Sequence, residues 1–321
     1  MYTIGIDLGG TNIAIGLCDE NLNIIKKSSV RTGAHRSGEE IIYDMAKLAS
    51  DILDECGVSA EEIEYVGIAT PGAANTETGI VEYSCNLPFK NFPIRDVFLR
   101  YLPVKQVLVA NDANAAALAE ALVGSAKGAK ASIMITLGTG VGGGIILDGK
   151  IITGSVNCAG AELGHMVIQH GGRPCGCGRR GCLEAYSSAT ALTNITKEKM
   201  DELREKQITS PLFDIAESDG KISARTAFKA ARASDPYAKE IVNDYIEHLA
   251  TGITNLINIF QPDIITIGGG VSNEGDDLIN PLIEIVERDQ YTRDNDRKTR
   301  VVIASLKNDA GIVGAAGLGR Q

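Results

Sequence analysis

The chain has 321 residues, enough for two lobes, and 44% of them are hydrophobic and 22% charged, as in ordinary globular proteins. Its 31 basic and 41 acidic residues leave a net charge of −10 without a basic stripe, which argues against nucleic acid as the main partner. The apolar runs are strand-length and interrupted by glycine, and the N-terminus lacks a basic start, so we expect neither a membrane span nor a signal peptide. We therefore expect a cytoplasmic protein.

The first part of the chain predicts three short strands and then a helix. The strands are apolar and β-rich, and they span Tyr2–Asp7, Asn12–Asp19 and Leu22–Val30. From Ser37 the apolar residues recur at helical spacing, and Gly57 ends that pattern. Two further strands, Ile63–Ala69 and Gln106–Ala110, follow, and the second runs into an Ala-rich helix that begins near Asp112.

The same pattern then begins again. Two strands joined by a glycine turn, and a third strand after them, are expected at Ala131–Leu137, Val141–Leu147 and Lys150–Thr153. A second glycine-turn hairpin about one domain after the first predicts an internal duplication of a β-β-β-α-β-α-β unit. The remaining predicted elements alternate between helix and strand, and they span Tyr237–Phe260, Asp263–Ile267, Asp277–Glu287, Arg300–Ala304 and Asp309–Leu318.

Both hairpin turns have the composition of an anion-binding loop. Glycines let backbone N–H groups approach a phosphate without a Cβ in the way, and the polar neighbours add donors. The residues concerned are Gly9, Gly10, Thr11 and Asn12 in the first turn, and Gly138, Thr139 and Gly140 in the second. One such turn could be an ordinary hairpin, but two predict a clamp for a triphosphate. Asp7, at the end of the first strand, is placed to hold Mg²⁺ through water.

A histidine and three cysteines form a candidate zinc site. His165, Cys175, Cys177 and Cys182 give the pattern H-x9-C-x-C-x4-C, which supplies four ligands of the kind that tetrahedral Zn²⁺ prefers. Four protein ligands leave no open position for water, so we expect a structural metal. The alternative is a glycine-rich loop with reduced thiols. An odd total of seven cysteines argues against a disulfide framework.

Several motifs together resemble the ROK family of sugar kinases, and most closely its bacterial glucokinase branch, within the actin–hexokinase superfold. The resemblance covers Ile4 to Gly314, and the motifs that carry it are DLGGT at 7–11, VANDANAAALAE at 109–120, LGTGVGGG at 137–144, AELGHM at 161–166, CGCGRRGCLEAY at 175–186 and IGGGVS at 267–272. It implies an α/β fold of duplicated, ribonuclease H-like lobes with a cleft between them and a zinc-binding loop.

The resemblance also implies roles for residues at the predicted strand–helix junction. Asp112 matches the catalytic base of the family. Such a base is needed because a sugar hydroxyl is too weakly acidic to ionise unaided, so a carboxylate must accept its proton. Asn111 is implied to orient the sugar. Either residue could instead be the N-cap of the Ala-rich helix, a position that Asp and Asn favour.

Further sugar and nucleotide contacts follow from the same resemblance. The sugar is expected to bind the zinc ligand His165, the carboxylates Glu162 and Glu184, which flank the zinc loop, and more weakly Gly72 and Asn86. The glycine run Gly268, Gly269 and Gly270 follows a predicted strand and is expected to admit the adenosine of ATP. Because the zinc-bound thiolates would hold the loop that carries His165 and Glu184, we expect zinc loss to affect sugar binding more than ATP contacts.

We therefore predict an ATP- and Mg²⁺-dependent hexose kinase with a structural Zn²⁺, acting on glucose at its 6-hydroxyl. One lobe is expected to contain residues 1–118 and 306–321, and the other residues 119–305 with the zinc loop at 165–182. N-acetylmannosamine, fructose, mannose or allose remain alternative substrates, and polyphosphate an alternative donor. A sugar-responsive repressor is disfavoured, because the first glycine turn starts too early for a preceding helix-turn-helix. The family resemblance implies a homodimer or homotetramer. The net charge of −10 and the short apolar runs predict that it binds neither nucleic acid nor membrane.

Overall fold

The computed structural model describes residues 1–84, 86–156 and 158–321, so Cys85 lies outside the described residues. The strands are β1 Tyr2–Leu8, β2 Asn12–Cys18, β3 Ile24–Arg31, β4 Ile63–Thr70, β5 Ala73–Asn75, β6 Ile80–Tyr83, β7 Lys90–Phe92, β8 Val107–Asn111, β9 Ala131–Leu137, β10 Val141–Leu147, β11 Lys150–Ile151, β12 Ile264–Gly268 and β13 Arg300–Ile303. The helices are α1 Gly38–Cys56, α2 Ile94–Tyr101, α3 Asp112–Leu122, α4 Glu184–Ser187, α5 Ala189–Glu205, α6 Pro211–Ser218, α7 Ala224–Arg232, α8 Pro236–Phe260, α9 Asp276–Asp289 and α10 Ala310–Ala316.

Two five-stranded sheets share one strand order. The first runs β3-β2-β1-β4-β8 and the second β11-β10-β9-β12-β13, so each places a three-strand meander beside two later strands. In the first sheet β1 pairs antiparallel with β2 and parallel with β4, and β4 pairs parallel with β8. This identity of order confirms the duplication that the two glycine-turn hairpins predict. A third, three-stranded sheet has the order β5-β6-β7.

The described residues form two compact units. The first contains residues 1–134, 144–161 and 305–321, and the second contains residues 135–143 and 162–304. The lobe boundaries expected from the sequence remain a prediction. None of the helices in the described part of the chain combines the length and the apolar character that crossing a membrane requires.

The core of the first unit forms because its strands contain alternating or consecutive apolar residues and helix α1 has an apolar stripe that packs with them. Ile4 and Ile6 of β1 and Ile41, Ile42 and Met45 of α1 are fully buried. Such burial stabilises by about 1.5–3 kcal/mol for each large aliphatic side chain. The helix has well-formed ends. Ser37 and Glu40 make a capping box, and Gly57 closes the C-terminus at φ 65°.

Helix α10 lies against the first sheet at van der Waals distance from its backbone. A Cβ at Gly5 would collide with the carbonyl oxygen of Ile312, and one at Gly67 with that of Ala315. Gly314, on the helix itself, lies as closely against Ala115 of α3. Glycine at these three positions is what permits the close approach. The packing brings the N-terminal end of α10 beside the end of β1, where Asp7 lies.

Candidate active site

The junction of β8 and α3 holds Asn111 and Asp112 in different ways. Asn111 Oδ1 accepts hydrogen bonds from the backbone N–H groups of Ala113 at 2.9 Å and Asn114 at 3.2 Å, which makes Asn111 the N-cap of α3. Its Nδ2 donates to the carbonyl oxygen of Gly72 at 3.1 Å. Asp112 is the first residue of the helix, and its Oδ1 accepts from Ala113 N–H at 2.8 Å. Helix capping therefore explains why Asn111 is present at this junction, but it does not explain the carboxylate of Asp112.

Asp7 lies near Asp112 because both stand at the same edge of the first sheet, Asp7 near the carboxyl end of β1 and Asp112 directly after β8, with β4 between the two strands. Asp7 is in register with Ala69 of β4, and Ala69 with Ala110 of β8. Burial, and then the negative charge of Asp112, raise the pKa of Asp7 to about 6. Burial also raises the pKa of Asp112, opposed by the hydrogen bond from Ala113 N–H. Two carboxylates in one poorly hydrated place are disposed to bind a cation, and Asp7 suits Mg²⁺, a hard ion that prefers oxygen ligands.

The first glycine turn is closed by its own backbone and supported by Thr32. Gly9 N–H donates to Asn12 O at 2.9 Å, and Thr32 Oγ1 donates to Gly9 O at 2.6 Å. Gly10, Thr11 and Asn12 are exposed, so the tip of the turn is accessible to a ligand. Asn86 lies beside the tip, with its Cβ 3.5 Å from where a Cβ of Gly10 would be.

The second glycine turn is hydrogen-bonded to the start of α5. Gly138 O accepts from Ala189 N–H at 2.8 Å, and Thr139 O accepts from Thr190 Oγ1 at 2.7 Å. Gly138 has open space where a Cβ would stand, so the turn can be approached closely by a ligand. These two carbonyl contacts hold the turn against the start of α5.

A cavity of about 670 Å³ joins two of the predicted nucleotide-binding segments in the second unit. It contains Thr139 of the second turn and Gly270 of the glycine run, and the other lining residues come from the starts of α5 and α7 and from neighbouring loops: Ala189, Thr190, Thr193, Asn194, Asp219, Lys221, Ser223, Ala224, Arg225, Lys229, Val271 and Asn273. Its volume is that of a small-molecule site. The cations Lys221, Arg225 and Lys229 outnumber the single carboxylate of Asp219, which suits an anionic ligand.

Gly268 and Gly269 lead the chain from β12 to Gly270, which lines the cavity. Gly268 ends β12, and Gly269 has φ 83° and ψ 177°, a conformation that is nearly restricted to glycine. A Cβ at Gly269 would lie 2.5 Å from the backbone nitrogen of Leu137, at the end of β9. The glycine run therefore lets the chain pass directly against β9 before Gly270 reaches the cavity.

The predicted zinc ligands are brought together. The ligand atoms of His165, Cys175, Cys177 and Cys182 all lie within 4.8 Å of one another. Cys177 Sγ is 3.7 Å from Cys182 Sγ, and Cys175 Sγ is 3.6 Å from His165 Nδ1. A tetrahedral zinc with Zn–S bonds of about 2.3 Å holds two sulfurs about 3.8 Å apart, so the spacing fits the ion. All six cysteines in the described part of the chain are free thiols, as the sequence predicts.

Two carboxylates flank this cluster. Glu162 immediately precedes the 3-10 turn Leu163–His165, and its carbonyl oxygen accepts from His165 N–H at 3.0 Å. Glu184 begins α4, two residues after Cys182, and its Oε1 is 3.5 Å from Cys175 Sγ. Its other oxygen, Oε2, accepts from Val141 N–H at 3.0 Å. His165 Nδ1 faces the sulfurs, which leaves Nε2 for a second partner.

Comparison with known proteins identifies the family. The model of the ROK family matches residues 3–321. The chain belongs to the ROK family. The glucokinase of Thermotoga maritima is 39% identical over 317 residues, which cover 98% of this chain and 96% of that protein. The glucokinase of Halalkalibacterium halodurans is 36% identical over 321 residues, which cover 100% of this chain and 95% of that protein.

A solved structure adds ligands to the comparison. The ROK family glucokinase of Streptomyces griseus, in complex with glucose and AMPPNP, is 32% identical to this chain and superposes with a TM-score of 0.82. The alignment covers 100% of both chains. The ROK assignment and the α/β fold expected from the motifs are thereby confirmed.

The sequence motifs of this ROK protein miss part of the candidate site. The missed residues line the cavity from α5, from α7 and from the Asp219–Ser223 segment. Thr190, Asn194, Lys221 and Arg225 occur in stretches whose composition is that of ordinary helix surface. The only local signal is Ser188, an N-cap residue directly before α5. Its position after the CLEAY motif indicates a helix start near the zinc loop, but not that the helix lines a cavity.

Proposed function

We propose that this ROK protein is an ATP-dependent glucokinase, which transfers the γ-phosphoryl group of MgATP to the 6-hydroxyl of glucose. The observation that carries the proposal is the division of roles at the β8–α3 junction, where Asn111 caps the helix and the Asp112 carboxylate stands beside it. The similarity to bacterial glucokinases along nearly the whole chain supports glucose as the substrate.

In the proposed reaction Asp112 accepts the proton of the 6-hydroxyl as that oxygen forms a bond to the γ-phosphorus. The bond between the γ-phosphorus and the β–γ bridging oxygen breaks, and ADP leaves with the bridging oxygen's electron pair. The raised pKa of Asp112 brings it closer to the working pH, which improves a base. Asn111 supports the geometry by fixing the junction to Gly72.

The nucleotide is proposed to occupy the cavity of the second unit. Thr139 and the second turn would receive phosphates, and Gly270 with Val271 and Asn273 the adenosine. Asp7 is the residue proposed to hold Mg²⁺, which would neutralise negative charge on the phosphates. The exposed first turn, Gly9 to Asn12, is proposed as the second phosphate contact. ATP is favoured as the donor because the cavity accommodates a nucleoside beside the phosphate turn.

The sugar is proposed to contact Asn111, Asp112, Glu162, His165 and Glu184, with Gly72 and Asn86 contributing from the region beside the first turn. Carboxylate, amide and imidazole groups recognise hydroxyl positions because a missing hydroxyl leaves a buried partner unpaired. Zinc, when bound by His165, Cys175, Cys177 and Cys182, supplies structural cross-links, and the His165 ring is then oriented through Nδ1.

Assembly and location are part of the same proposal. We expect a homodimer or homotetramer, which light scattering coupled to size-exclusion chromatography would measure. The free thiols of the zinc cluster suit the cytoplasm, where cysteines remain reduced.

A coupled ADP-release assay tests the proposed function. Glucose, mannose, glucosamine, fructose, allose and N-acetylmannosamine are compared as acceptors, with ATP and polyphosphate as donors. We expect the highest kcat/KM for glucose with ATP, and glucose 6-phosphate as the product. A tenfold preference for N-acetylmannosamine, about 1.4 kcal/mol of transition-state binding, would replace the glucokinase assignment while retaining the kinase. Absence of turnover with every sugar and donor would overturn the kinase itself.

A further inference from the structure

The residue that follows the second glycine turn is held by the zinc-binding segment from two sides. Val141 N–H donates to Glu184 Oε2 at 3.0 Å, and Glu184 is two residues from the zinc ligand Cys182. Gly164, next to the zinc ligand His165, lies so close that a Cβ there would collide with the carbonyl oxygen of Val141 and would be 3.0 Å from its Cβ. Both stretches that carry zinc ligands therefore contact Val141.

The same carboxylate also lies against the turn itself. A Cβ at Gly140 would collide with Glu184 Oε2 and would be 3.2 Å from its Cδ. After Glu184 the chain continues through α4 to Ala189 and Thr190, which bind the carbonyl oxygens of Gly138 and Thr139. The segment from Glu184 to Thr190 thus contacts all three residues of the turn, Gly138 to Gly140, and Val141 directly after it.

We propose that Glu184 is a positioning residue that holds the Gly138–Gly140 turn, through Val141 N–H, in the conformation that binds nucleotide phosphates. The inference rests on the proposed function, because it takes this turn as a phosphate-binding element. It adds a second duty to a carboxylate that the family resemblance assigns to the sugar alone. It also predicts that loss of zinc weakens nucleotide binding even when no sugar is present. The sequence instead led us to expect that zinc loss affects sugar binding more than ATP contacts.

The geometry explains why a side-chain hydrogen-bond acceptor is used at this position. A turn that binds phosphate must present its N–H groups outward, and the strand after it must then begin in a fixed register. Val141 N–H is the first backbone donor after the turn, and Val141 is buried, so loss of its acceptor would leave this donor unpaired at a cost in free energy. A side chain at position 140 would displace the carboxylate, which occupies the space that a Cβ would fill.

The test measures MgADP affinity by calorimetry in the absence of sugar, with zinc content determined for each protein. We compare wild type with Glu184→Ala, which removes the acceptor, and Glu184→Gln, whose side-chain oxygen can still accept from Val141 N–H. The matched control is Glu198→Ala. Glu198 is also a carboxylate that binds the zinc loop, through Arg173 at 2.7 Å, but it lies on α5 away from the turn.

We expect Glu184→Ala to weaken MgADP binding about tenfold, and Glu184→Gln and Glu198→Ala to remain within about threefold of wild type. Wild type stripped of zinc by a chelator should weaken to a similar extent as Glu184→Ala. MgADP affinity of Glu184→Ala equal to wild type, or equal weakening in the alanine and glutamine variants, would overturn this inference alone. Failure of wild type to bind MgADP would overturn the proposed function and this inference with it.

Discussion

Asn111 and Gly72 are joined by a hydrogen bond from the Asn111 amide to the Gly72 carbonyl oxygen, at 3.1 Å. The other end of the same side chain caps α3. Gly72 has φ 98° and lies so close to Tyr83 O that no side chain would fit there. One amide thus ties the start of the Ala-rich helix to the chain that follows β4. The arrangement fixes the backbone on which Asp112 stands.

Replacing Asp112 by asparagine should reduce kcat by about 10²- to 10⁴-fold while leaving the dissociation constants for glucose and MgADP nearly unchanged. Asparagine keeps the size of the side chain and an oxygen for Ala113 N–H, but it cannot accept the sugar proton. Steady-state kinetics and calorimetry measure the two effects. Asp148→Asn, the same change on an exposed turn, is the control and should retain wild-type kcat. A kcat close to wild type in Asp112→Asn would place the base elsewhere.

Replacing Asp7 by asparagine should stabilise the protein at pH 7.5 while impairing catalysis. The pKa of Asp7 is raised from 3.8 to about 6, so ionising it costs folding free energy above pH 6 and nothing below pH 3.8. The gain in unfolding free energy should be at most about 3 kcal/mol and should vanish near pH 4. Urea unfolding at the two pH values measures it. An equal effect at both pH values would show that charge is not its cause.

Magnesium should shift the acid limb of the kcat/KM profile. Because protonation of Asp7 removes a charge that the ion needs, activity should fall as the pH decreases through about 6. Higher Mg²⁺ concentrations compete with the proton and should move that limb to lower pH. Initial rates between pH 5 and 8 at two Mg²⁺ concentrations provide the measurement. A limb that does not respond to Mg²⁺ would remove Asp7 from the proposed metal site.

Each chain should bind one zinc ion, and Cys177→Ser should lower the metal content and weaken glucose binding. Serine cannot supply the thiolate that the cluster requires, and the loss would release the loop that carries His165 and Glu184. Elemental analysis and calorimetry with glucose measure both effects. Cys56→Ser, at the end of α1, is the control and should keep full zinc content. Wild-type protein purified without stoichiometric zinc would contradict the prediction.

Gly269→Ala should destabilise the protein by more than about 2 kcal/mol and raise the KM for ATP. Alanine strongly disfavours φ 83° with ψ 177°, and its Cβ would press on the Leu137 backbone at 2.5 Å. Gly220→Ala is the control, because Gly220 has φ 66° but nothing within 4 Å of a Cβ. That change should cost about 1 kcal/mol. Similar losses in both variants would mean that the contact with Leu137 is unimportant.

Where local pattern decides structure, the sequence was sufficient. The strands Ala131–Leu137 and Val141–Leu147 have the predicted bounds, and Gly57 ends α1 as expected. Apolar periodicity and glycine chemistry act within a few residues, so they can be read directly from the chain. The duplication and the grouping of His165 with the three cysteines also follow from pattern, because repeated turns and a metal's ligand chemistry leave characteristic residues.

Other features depend on residues that are distant in sequence. The predicted helix Asp309–Leu318 is shorter, Ala310–Ala316, and the strands β5, β6 and β7 were not predicted because three or four residues carry no clear period. Only tertiary structure distinguished Asn111, the cap, from Asp112. It also assembled the cavity of Thr139, Lys221 and Gly270, and it paired Glu184 with Val141, 43 residues away. Such contacts depend on how helices and strands pack against one another, which the conformational preferences of neighbouring residues do not determine.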